Sequence, residues 1–182
     1  MESDSAGIRM FGMDVDGVLT DGGIYYGDHG MEMKRFSVQD GMGITLLHRA
    51  GIIPFIITAR RSNATLRRAE ELGIREVHQG ITSKLECLER LASRYHVSVG
   101  QMAYIGDDLS DLEIMHEVGY PIAVANARDE VKNAARLVTS CGGGHGAVRE
   151  ACEHVLRLSG HRRPFFSLLG LQRKKGDVHG QS

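Results

Sequence analysis

The chain has 182 residues, of which 42% are apolar and 25% charged, with a formal net charge of −1. That describes one ordinary globular domain, able to bury roughly two-thirds of its unfolded surface without disulfide or metal staples. Near-zero charge gives no general field for nucleic acid or anionic lipid, and no apolar run reaches the length of a membrane span. Three cysteines, Cys87, Cys141 and Cys152, are widely spaced with no CxxC pair, and the first ten residues carry no signal-peptide pattern. A reducing, cytoplasmic setting is therefore expected, with no nucleic-acid or membrane partner.

Residues 1–7 are small and polar, and are expected to fray. An apolar run over 8–13 predicts a buried strand that ends in acid. Residues 21–37 are glycine-rich and alternate in places, which predicts a β-hairpin turning near Asp28 and Gly30. Ile44, Leu47 and His48 keep a helical period through Ala50, with Gly51 as the stop. A second buried strand is predicted over 52–57, ending at Thr58, although Pro54 sits awkwardly in a central strand. A helix over 62–72 closed by Gly73 follows, then a short strand at 76–78. Ser83 caps a helix to Tyr95 with Leu85, Leu88, Leu91 and Ala92 on one face. A third strand over 101–105 runs into Gly106-Asp107-Asp108.

Beyond it the pattern gives a helix at 110–118, a strand at 120–124, a helix at 129–135 and a short strand at 137–139. A glycine loop at 142–146 and a closing helix at 147–158 complete it. We expect one domain over 1–160 and a basic, mobile tail over 161–182 with an apolar patch at 164–169. Alternating strands and helices predict an α/β, Rossmann-like parallel sheet with right-handed crossovers and helices on both faces.

In such sheets ligands bind beyond the carboxyl ends of the strands, where the strand order reverses. Three strand ends here carry reactive residues: Asp14-Val15-Asp16-Gly17, Thr58-Ala59-Arg60, and Gly106-Asp107-Asp108 with Asp111 shortly after. Lys84 begins a helix between the last two. Asp14 and Asp16, two apart on extended chain, share a face. Their mutual repulsion, and that of Asp107 and Asp108, is relieved by a hard divalent cation; an all-oxygen set suits magnesium.

This ordered set resembles the signature of the haloacid dehalogenase superfamily of phosphotransferases over residues 8–140. The resemblance implies that Asp14 attacks phosphorus to give an aspartyl-phosphate, and that Asp16 acts as acid and then base. It places magnesium on the Asp14 carboxylate, the Asp16 carbonyl and Asp107. Thr58 and Lys84 hold the phosphoryl oxygens. Asp108 is expected to orient Lys84 or a metal-bound water, and Asp111 to fix the loop, with contact to a metal-bound water as its alternative.

The intervals where this superfamily inserts a cap hold only the hairpin and a helix, or a helix and a short strand, so no cap domain is expected. The segments 21–26, 34–43 and 142–150 narrow the resemblance to the capless 3-deoxy-D-manno-octulosonate 8-phosphate phosphatases, which work as homotetramers in the synthesis of a lipopolysaccharide sugar. The hairpin is then the expected means of association. Lys34 and Arg35 are candidates to reach a neighbour's site. One departure is Ala59, where the family has glycine; a positive φ there would cost about 1 kcal/mol. Arg60 is the first candidate for the sugar carboxylate, ahead of Arg67 and Arg68.

Two alternatives stand beside this reading. One is a phosphatase for a nine-carbon sialic-type acid 9-phosphate, whose relatives tend to carry an acidic residue where Arg60 stands. The other is a non-catalytic oligomerisation module, against which the complete catalytic set speaks.

Overall fold

The computed structural model describes residues 7–160; the tail predicted over 161–182 lies outside them. β1 (Met10–Met13) is central and entirely buried. On one side it pairs with β4 (Ile53–Thr58), which pairs with β5 (Glu76–Gln79). On the other it pairs with β6 (Met102–Gly106), followed outward by β7 (Tyr120–Ala123) and β8 (Leu137–Val138). The six strands run parallel in the order β5-β4-β1-β6-β7-β8. The chain therefore leaves β1 in one direction, then returns past it through α3 (Lys84–Tyr95) to β6.

With the right-handed crossovers that parallel strands favour, that reversal divides the helices between the two faces. α1 (Val38–Arg49) packs on α6 (Ala147–Leu158), while α3 packs on α4 (Leu112–Glu117) and α4 on α5 (Asp129–Ala134). α2 (Asn63–Glu71) connects β4 to β5. The reversal also opens a crevice beyond the carboxyl ends of β1, β4 and β6.

Two local readings change in the structure. α1 begins at Val38, six residues before the apolar period becomes visible. Ser37 caps it, its side chain accepting from Asp40 N at 3.3 Å. Gly41 and Gly43 obscure the period because the helix is tightly flanked there. A Cβ at 41 would meet Arg68, and one at 43 would meet Arg149 and Cys152.

Pro54 is accommodated in β4 by register. Ile53 N donates to Arg9 O on the β1 side at 3.0 Å, so position 54 turns toward β5, whose pairing begins only at Phe55. A separate pair of strands, β2 (Tyr25–Tyr26) and β3 (Glu32–Met33), forms the hairpin, shorter than the 21–37 span suggests. Its turn lies at Asp28–Gly30, as expected. Among the described residues nothing larger than this hairpin stands where a cap would be, and no helix is long and apolar enough to cross a membrane.

Candidate active site

Asp14 follows β1 directly; its N–H donates to Ile105 O at 3.2 Å. A tight turn over Val15–Leu19 then folds back, closed by Thr20 N donating to Val15 O at 3.0 Å. The turn depends on Gly17, whose φ is +92°. A Cβ there would fall 2.1 Å from Asp107 Oδ2, so the peptide after Asp16 lies against the Asp107 carboxylate. The 142–146 glycine loop braces the turn from behind, with Gly144 N donating to Val18 O at 2.9 Å. Buried Asp40 anchors that loop by accepting from Arg149 N at 2.8 Å and Gly146 N at 3.4 Å.

The central cluster joins three carboxylates to one amine. Lys84 Nζ lies 2.6 Å from Asp111 Oδ1 and 3.1 Å from Asp14 Oδ2, and all three residues are buried. Tyr104, fully buried, donates its hydroxyl to Asp111 Oδ1 at 2.9 Å and accepts from Lys84 Nζ at 3.3 Å. Room for that ring comes from Gly12 on β1, where a Cβ would strike Tyr104 and Phe55. Asp111 Oδ2 also accepts the N–H groups of Asp107 and Asp108, at 3.0 and 3.3 Å. Asp111 therefore fixes the loop, as expected, and also takes the part of orienting Lys84. Asp108, for which the sequence reading offered Lys84 or a metal-bound water, is exposed, makes no hydrogen bond or ion pair with Lys84 and caps the turn at Leu109, accepting from Leu109 N at 2.8 Å.

The charge balance is unfavourable without a further cation. Burial, opposed by Lys84 and reinforced by Asp111, pushes the Asp14 carboxyl up to about 6. Burial together with Asp111, Asp14 and Asp108 pushes Asp107 up to about 7. Burial works against the Lys84 charge, but Asp14 and Asp111 outweigh it and hold the amine above its usual range. Oxygens of Asp14, Asp107 and Asp111 lie within 4.8 Å of one another. Asp107 Oδ1 is buried with no hydrogen-bond partner. Such an all-carboxylate set, with an oxygen left over, fits a hard divalent ion such as magnesium. The side chain of Asp16 pairs with Lys34 and stands beside Arg60, while the backbone that follows it lies against Asp107 through Gly17.

A second cluster lies under the hairpin. Lys34, its side chain fully buried, pairs with Asp16 Oδ1 of its own chain. Arg60 Nε stands 3.6 Å from Asp16 Oδ2, and Arg60 Nη2 lies 3.6 Å from Glu32 Oε2 and donates to Tyr26 Oη at 3.2 Å. Thr58 is buried at the end of β4, and its hydroxyl accepts from Arg60 N at 3.4 Å. Ala59 is exposed and is not among the residues with positive φ, so the extra methyl causes no backbone strain.

Arg68 is held by Ser37 O and Glu71, and Arg67 pairs with Glu71 on the exposed face of α2. Both lie apart from the two clusters. Lys34, named as a candidate for a neighbour's site, joins the site of its own chain, and Glu32 and Tyr104 join it without having been singled out.

The profile of haloacid dehalogenase-like hydrolases matches residues 73–149. A 3-deoxy-D-manno-octulosonate 8-phosphate phosphatase from Yersinia pestis is 44% identical over 152 residues, which span 84% of this chain and 81% of that protein. Its counterpart from Escherichia coli strain K12 is 41% identical over 153 residues, again covering 84% and 81%. The crystal structure of the Moraxella catarrhalis phosphatase, in complex with magnesium, phosphate and KDO, superposes with a TM-score of 0.85 at 42% identity. That match covers 91% of this chain and 94% of that one. With the fold, the strand-end carboxylates and these relatives in agreement, the chain belongs to the 3-deoxy-D-manno-octulosonate 8-phosphate phosphatase family of haloacid dehalogenase-like hydrolases.

Proposed function

We propose that this protein is a magnesium-dependent phosphomonoesterase that hydrolyses 3-deoxy-D-manno-octulosonate 8-phosphate to the free sugar acid and phosphate, in lipopolysaccharide sugar synthesis. The observation that carries it is the Asp14–Lys84–Asp111 cluster with the unpartnered Asp107 oxygen beside it. The magnesium, phosphate and KDO named for the Moraxella relative support the same chemistry.

Asp14 presents a carboxylate oxygen to phosphorus while Lys84, 3.1 Å away, fixes its direction and offsets charge on the phosphoryl oxygens. The new Asp14–phosphorus bond forms as the bond to the sugar oxygen breaks, leaving an aspartyl-phosphate. Asp16 gives the leaving oxygen its proton, then takes one from the water whose attack on phosphorus breaks the Asp14–phosphorus bond and releases phosphate. Thr58 holds a phosphoryl oxygen from the neighbouring strand end. Asp14, Asp107 and the Asp16 carbonyl would hold magnesium, which would supply the positive charge that lets a carboxylate approach a phosphate dianion. Arg60, exposed at the mouth beside Asp16, is the group for the sugar carboxylate.

We further assign a cytoplasmic homotetramer, with the hairpin as the contact. Tyr25, Tyr26, Met31 and Met33 are all at least half exposed on it, a concentration of apolar surface that association would bury.

The test is phosphate release from the eight-carbon acid phosphate, its nine-carbon sialic-type counterpart and neutral hexose phosphates, with and without magnesium. We expect magnesium-dependent preference for the eight-carbon acid, and at least about a thousand-fold loss in Asp14→Asn with the fold intact by circular dichroism. No release from any member, or full activity in the variant, overturns the assignment.

A further inference from the structure

Arg60 is already occupied. Glu32 Oε2 stands 3.6 Å from its Nη2, and Tyr26, directly opposite Glu32 in the hairpin ladder, accepts from the same nitrogen. Neither Glu32 nor Asp16 grips the guanidinium through the two parallel bonds it favours. Glu32 Oε1 is buried with no hydrogen-bond partner. The carboxyl is nonetheless ionised, held below the usual carboxylate range by the Ser62 hydroxyl, with Lys34 and Arg60 adding to the effect. An anionic carboxylate with one idle oxygen thus stands at the cation that the sugar acid requires.

We propose that Glu32 is a specificity-determining residue, occupying Arg60 in the free enzyme in place of the substrate carboxylate and yielding it only to a substrate that carries one. The inference rests on the phosphatase reading above and deepens it. An acid sugar exchanges one carboxylate for another and gains a bidentate pair, while Glu32 keeps Lys34 and Ser62 nearby. A neutral sugar phosphate brings nothing to displace Glu32 and meets its negative charge at the mouth. Discrimination then comes from an internal competitor as well as from attraction, a repulsive element built into the site.

The experiment measures inhibition constants of two fragments, the free acid 3-deoxy-D-manno-octulosonate and inorganic phosphate, against the full-length wild type and Glu32→Gln with magnesium present. Glutamine keeps the shape and removes the charge. The sugar acid should bind about three- to five-fold tighter to the variant, while phosphate changes by about two-fold or less. In an Arg60→Gln background, adding Glu32→Gln should leave sugar-acid binding unaltered, because the contested cation is gone.

Equal tightening of both fragments would show that Glu32 sets only the general field. Weaker acid binding would show that it props Arg60 for substrate. Persistence of the effect without Arg60 would place the competition elsewhere. Any of the three overturns the proposal. A wild type that neither hydrolyses the acid phosphate nor binds the free acid overturns the functional reading instead, so the two failures are separable.

Discussion

Among the described residues, Lys84 is the only cation paired within the Asp14–Asp107–Asp111 group, and it does not balance the three. Burial holds Asp14 at about 6 and Asp107 at about 7, both above their unfolded values near 3.8. A raised carboxylate favours folding fully below its unfolded pKa, and that contribution is lost as pH rises through the folded one. Without metal, these two sites therefore lose stability from about pH 4 to about pH 7. Magnesium binds the ionised forms and reverses the loss. Calorimetry at pH 5 and pH 8, with and without saturating magnesium, should show a larger magnesium-induced rise in Tm at pH 8. An equal rise at both values would mean that these carboxylates are not the ligands.

At the scale of elements, the site depends on how closely backbone segments approach one another. The turn after β1 is pinned between the Asp107 carboxylate in front and the 142–146 loop behind, which Asp40 on α1 ties to the start of α6. Gly17→Ala adds a methyl at positive φ and drives it into Asp107. Displacing a catalytic segment by roughly 1 Å costs about a hundred-fold in rate. The variant should show a loss of that order in kcat/KM, together with weaker magnesium binding by isothermal titration. Wild-type kinetics would show that the turn tolerates the strain and that Asp107 moves without consequence.

Across the described residues, the reversal of strand order gathers the ends of β1, β4 and β6, and the hairpin reaches Asp16 and Arg60 beside them. A site covered by so little of the described chain would exclude water poorly, and the proposed association of subunits would complete the enclosure. Met31 and Met33 lie half exposed on that hairpin and away from Arg60. The double substitution Met31→Glu with Met33→Glu places charge in the assigned contact. Light scattering should then show a species smaller than the tetramer, and activity should fall with it. An unchanged mass would move the contact to another surface.

The sequence by itself determined the fold class, the strand ends and the order of the chemistry-bearing residues, because these follow from local periodicity and from which residue types stand next to buried runs. Asp14, Thr58, Lys84 and Asp107 were legible for that reason. What only the tertiary structure decided were pairings across long separations. Asp111 rather than Asp108 meets Lys84, because the short turn over Leu109–Asp111 points one carboxylate inward and leaves the other as its cap. Lys34 turns inward to its own Asp16, and Glu32 reaches Arg60, because the hairpin folds back over the turn after β1. No periodicity encodes those contacts, since each depends on where two distant segments come to rest against the same core. The harmlessness of Ala59 was likewise a matter of one φ angle, fixed by how β4 leaves the sheet.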